Sequence, residues 1–161
     1  MENFSVFFGR NKTIMNGYST FLLLHSLLRY VVLVLLLVLI IKSLMGWTSK
    51  SEFTPGDNKI SLFTLIATHT QFLLGLVLYF VSSPFVKFSG ERDRMSTYWT
   101  FEHISMMLIA IILITAGRGT MKKLADGPAK HKRLFIFNII ALIIIIGSIA
   151  MSKRGFFGLP I

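Results

Sequence analysis

The chain has 161 residues, 53% of them hydrophobic, with a mean hydropathy of +0.69 and a formal net charge of +10. A water-soluble domain of this length does not need so much apolar surface, and a positive charge with no basic patch set in a soluble fold argues against nucleic acid as the partner. The absence of cysteine excludes disulfides, thiolate-bound iron–sulfur clusters and covalent c-type haem attachment.

Nearly all the apolar residues fall in four blocks, which predict spans over residues 20–45, 60–81, 98–116 and 132–151. Each is near the ~20 residues that cross a hydrocarbon core. None alternates with a period of two, so a β-barrel is not expected. The expected fold is all-α, one domain over residues 1–161, an integral membrane four-helix bundle in contact with the lipid bilayer. The first apolar run is too long for the core of a cleaved signal, and no small-residue cleavage site follows it.

In chain order, residues 1–19 offer Phe4, Phe7 and Phe8 to the membrane interface, and Ser19 or Thr20 as an N-cap for the first helix. The first span carries His25 and Arg29 one helical turn apart in a run of leucines. Pro55, Gly56 and Asp57 mark a turn, with Asp57 or Asn58 as the cap of the second helix. That helix is expected to stop at Pro84. The third is expected to close at Gly117 and Gly119, and Pro128 fits the first turn of the fourth. Short loops make the order up-down-up-down. Helices one and three then start at one end of the bundle, side A, and helices two and four at the other, side B. Tyr79, Phe80, Tyr98 and Trp99 fall at side A as an aromatic belt, and Trp47 at side B. The basic third loop places side B in the cytoplasm and both termini outside.

Each block has one histidine: His25, His69, His103 and His131. An ionisable side chain within a span is costly and points to function, and neutral imidazole is a usual axial ligand of b-type haem. Depth decides which pair can share an iron. At ~1.5 Å per residue, His25 and His103 both lie about 6 Å inside side A. On diagonal helices they can face each other, so this pair is the expected haem site. The alternative is two polar residues hydrogen-bonded in the core. His69 lies about 13 Å from side B by the same rise, and His131 precedes the apolar run between two lysines. Their depths differ by about 15 Å, a poor match for a second haem, and a solvated surface role suits His131 better.

Arg29 shares a helix face with His25, and its side chain leans toward side A. It can meet a haem propionate or the carboxylate of Glu102, either of which neutralises it; the alternative, snorkelling to the side A headgroups, is less favoured from a start about 12 Å deep. Gly75 and Ala110 can make room for a flat macrocycle or allow close helix packing. Met106 and Met107 read as core filler. Thr64, Thr68, Thr70 and Gln71 fit either a quinone pocket or polar packing.

The segments HSLLRYVVLVLL, SLFTLIATHTQFLLGLVLYF, FEHISMMLIAIILITAGR and HKRLFIFNIIALIIII resemble a family of small bacterial four-span proteins labelled cytochrome b, from about residue 21 to 149. One histidine per helix is also similar to the two-haem transmembrane ferric reductases, in which helices one and three hold one haem and two and four the other. The resemblance implies b haem, with His25, His69 and His103 as ligands and His131 as a further candidate, in a bacterial inner membrane. The expected role is electron transfer through one or two bis-histidine haems, with the quinone pool, a membrane redox partner or a respiratory complex as partner. A haem-free accessory subunit of a larger respiratory or transport complex is the alternative, and a small transporter is a third reading, weakened by the lack of Gly/Pro breaks in the spans.

Overall fold

A computed structural model describes the backbone of residues 2–82 and 85–152, and side chains over 17–80 and 85–152. Pro84, Phe4, Phe7, Phe8 and the tail beyond Ser152 lie outside the described side chains, so the expectations placed on them are not addressed. The described residues form helices and no strands: α1 (Glu2–Thr48), α2 (Pro55–Val77), α3 (Arg94–Thr97), α4 (His103–Met121) and α5 (Gly127–Met151). α2 runs on into a π-helical turn, Leu78–Ser82, and a second π-helical turn, Tyr98–Glu102, joins α3 to α4. Four helical stretches are long and apolar enough to cross a membrane: Gly17–Thr48, Pro55–Phe80, Arg94–Met121 and Gly127–Met151. The chain is a multi-pass all-α membrane bundle.

The helices outrun the apolar blocks because polar first turns are stabilised by caps. Thr54, not Asp57 or Asn58, caps α2: its hydroxyl accepts from the Asp57 amide, and the Asp57 carboxylate accepts from the Thr54 amide and hydroxyl, a reciprocal capping box. Asp126 caps α5, with Pro128 in its first turn as expected, so the helix begins ahead of the apolar run. Ser19 and Thr20 cap nothing, because α1 passes through them unbroken. Gly117 does not end the third span, which continues to Met121. A Cβ at Gly117 would stand 2.7 Å from that of Phe137, so its role is close packing against the fourth span. α1 ends in a Schellman turn. The Ser51 amide donates to the Gly46 carbonyl at 3.0 Å, and Lys50 takes a left-handed φ of 54°, where glycine is usual.

The first span packs against the second and fourth, and the third also packs against the second and fourth. The first and third spans are therefore diagonal, as expected. Toward the middle, Leu36 and Ile40 meet Ala110, Ile114, Ala141 and Ile145 in one buried cluster. Many large apolar side chains stay exposed, among them Val34, Ile41, Phe63 and Ile143. In a bilayer these face lipid, and water would not tolerate so continuous a surface.

Candidate functional site

All four spans line one cavity toward side A. The first contributes His25, Arg29 and Leu33, the second Gln71 and Gly75, the third His103, Met107 and Ala110, and the fourth Ser148 and Ile149. Its unfilled space is about 830 Å³, the open side included. Its walls are apolar with a few polar side chains among them, the character of a ligand pocket. The pair matched by depth, His25 and His103, thus shares one apolar chamber, and Arg29 joins them.

His25 is set by the second span. A Cβ at Gly75 would stand 3.1 Å from its Cε1, so the missing side chain makes room for the imidazole itself and not directly for a macrocycle. One turn earlier, Gln71 Nε2 donates to the His25 carbonyl at 2.9 Å, fastening the two helices at that level. Arg29 donates to the Tyr30 hydroxyl at 3.0 Å and lies 4.9 Å from that ring's centre.

His103 is held more elaborately. Its Nδ1 lies 3.1 Å from the Ser148 hydroxyl and 3.3 Å from the Tyr98 hydroxyl. Tyr98 also donates to the Ser148 carbonyl at 2.6 Å. The Trp99 ring lies 5.0 Å away at 57°. Tyr98 and Trp99 reach His103 because the backbone between them is a π-helical turn. Such turns often sit at functional sites. The Tyr79 hydroxyl, from the other π-helical turn, donates to the Thr100 carbonyl at 2.7 Å, so the two wide turns brace each other beside the cavity.

The other two histidines are not brought together. His69 lies exposed on the outer face of α2, where its Nδ1 donates to the Leu65 carbonyl at 2.9 Å. His131 is buried at side B, 2% exposed. This overturns its expected solvated role: although lysines flank it, the ring lies on the inward face of α5, against Phe53 and the backbone at Gly46. Its Nε2 donates to the Glu52 carbonyl at 3.4 Å and stands 4.0 Å from the Asp57 carboxylate, which pairs with Lys42 at 3.1 Å. A Cβ at Gly46 would lie 2.5 Å from Nε2, so the imidazole rests directly on the α1 backbone. The second haem expected between His69 and His131 has neither a common height nor a common face.

Glu102, the proposed partner of Arg29, is paired with Arg94 and does not line the cavity. The hydroxyls of Thr64, Thr68 and Thr70 donate to carbonyls four residues back. That favours polar packing as their role. Arg118, in the last turn of α4, is buried and donates to the Asn58 carbonyl at 3.2 Å and to the Ser61 hydroxyl. Sequence reasoning missed Ser148, although a serine inside an isoleucine run is a usable signal. Among the described residues no three His, Asp or Glu side chains form a metal cage. An axially ligated haem needs only two imidazoles. No family model, curated protein or solved structure matches the chain.

Proposed function

We propose that the protein is a membrane b-type cytochrome with one bis-histidine haem at the side A end, ligated by His25 and His103. The observation that carries the reading is that these two imidazoles, on diagonal spans, line the same apolar cavity. The donor set fits: two neutral nitrogen ligands, aliphatic walls that exclude water, and the Arg29 guanidinium to offset carboxylates. A haem held there by His25 and His103 would supply reversible one-electron chemistry. The chain's own residues bind and orient. Gly75 and Gln71 fix His25, Tyr98 and Ser148 fix His103, and the lipid-facing aliphatic side chains keep the site dry. The likeness to small bacterial four-span cytochromes supports the same reading. It also suggests a bacterial inner membrane, with the quinone pool or a respiratory partner at either end of the electron path.

Purified protein reduced with dithionite is expected to give a sharp b-type α band. His25→Ala and His103→Ala should each abolish it while circular dichroism stays helical. A band retained in both variants overturns the assignment.

A further inference from the structure

We propose that the outer face of the second span is the contact surface for a second copy of this chain, with His69 of each copy accepting a hydrogen bond from Thr70 of the other.

The second span is out of keeping with its surroundings. Of the four it is the least buried within the chain and, by mean hydropathy, the least apolar. A helix that shows most of itself to lipid is expected to be the most apolar, because polar groups in hydrocarbon are costly. Its outward side is a stripe at helical spacing, in which Leu62, Phe63, Ile66, His69, Thr70 and Leu73 are all exposed. His69 and Thr70 sit about midway along Pro55–Phe80, the depth at which exposed polar groups cost most.

The chemistry of the two side chains points to what covers them. The bond from His69 Nδ1 to the Leu65 carbonyl needs a proton on Nδ1, since a carbonyl only accepts. A neutral ring then leaves Nε2 as an acceptor. The Thr70 hydroxyl donates to the Ile66 carbonyl at 2.9 Å. In an α-helix the amide of Thr70 already serves that carbonyl, so the hydroxyl proton can turn to a better acceptor. The stripe therefore carries one acceptor and one donor, about 1.5 Å of rise apart. Two copies inserted the same way round meet at equal depth, and a twofold interface needs its donor and acceptor at one height. This face has both, so it is complementary to itself. An unrelated partner helix would need no such match. Polar side chains pair across membrane helices in this way, and Leu62, Phe63, Ile66 and Leu73 supply apolar contact around the pair.

Because the chain has no cysteine, single introduced cysteines report the interface in native membranes. They bridge only where Cα atoms come within about 7 Å. Oxidation of Ile66→Cys and of Leu73→Cys should give a species of two chains, each of 18.2 kDa. Val34→Cys and Ile143→Cys, comparably exposed on the first and fourth spans, should stay monomeric on the gel. Energy transfer between labelled copies diluted into phosphatidylcholine vesicles then gives the affinity. With two hydrogen bonds per dimer, His69→Leu and Thr70→Val should each weaken it roughly tenfold. Each variant breaks both bonds, so the double variant should lose no more than either alone. A monomer in vesicles, cross-links at the control positions in place of Ile66 and Leu73, a cross-link to a chain of another mass, or an affinity unmoved by both substitutions overturns the proposal. None of these measurements uses a haem, so the outcome is independent of the cytochrome reading.

Discussion

The two ends of the bundle treat a histidine in opposite ways. At side B, His131 is sealed: its Nε2 donates to the Glu52 carbonyl and its ring rests on the backbone at Gly46. Phe53 covers it at 5.1 Å between ring centres. At side A, His103 is tethered through Nδ1 and, with His25, lines an open-sided cavity. The contrast shows that burial alone does not mark a ligand. The informative features are which ring nitrogen the protein engages and whether space remains beside the ring. Sealed packing reads as structure, and a tethered imidazole beside a cavity reads as a site.

The largest expected effect lies at the sealed end. Gly46→Val puts a branched side chain where the His131 ring lies, and overpacking of this kind costs up to about 3 kcal/mol. Thermal unfolding in detergent should show a clear drop, and an unchanged midpoint would mean that this end is not tightly packed. Next comes Asp57→Ala, which removes the capping-box carboxylate and the partner of Lys42. A loss of about 1 kcal/mol is expected from leaving the Thr54 amide without its acceptor, without effect on a cofactor at the other end. A stability change within error would show that the box is dispensable. Gly75→Ala should behave differently. Its new methyl meets only the edge of His25 at 3.1 Å, beside a cavity into which the ring can move. The stability cost should stay below about 1 kcal/mol while the haem spectrum shifts. A large stability loss with an unshifted spectrum would reverse the comparison.

Smaller still is Lys50→Gly. The left-handed φ of 54° suits glycine, so a gain of about 0.5 kcal/mol is expected, and a loss would contradict the Schellman assignment. The smallest effect concerns pH. The Ser96 hydroxyl and amide hold the Asp93 carboxyl below its ordinary value. A lowered carboxyl stabilises above its unfolded value and loses that contribution as pH falls through the folded one. The α3 turn should therefore fray only in acid, below about pH 4, and hydrogen exchange of the Ser96 amide reads it. Asp93→Asn should remove the pH dependence and keep the cap.

The fold was legible because a span is written in composition: twenty apolar residues cannot hide. The diagonal placement of His25 and His103 followed from loop length and helical rise. The start of the fourth helix near Pro128 was legible, but the face on which His131 falls was not: its flanking lysines suggested solvent, whereas its ring turns onto Gly46 and Phe53. The tether on His103 was not legible, because it depends on a π-helical turn that rotates Tyr98 toward the fourth span. No sequence period announces such a turn. The pairing of Glu102 with Arg94 was missed for a related reason: the short α3 brings Arg94 onto the same wall as the third span.

The cleanest test of the central claim is the ratio of haem to polypeptide, measured as pyridine haemochrome, in wild type and in the four single histidine-to-alanine variants. The account predicts one haem per chain in wild type, none in His25→Ala or His103→Ala, and one still in His69→Ala and in folded His131→Ala. Two haems per chain, or loss of haem from His69→Ala with His25→Ala still loaded, would contradict it.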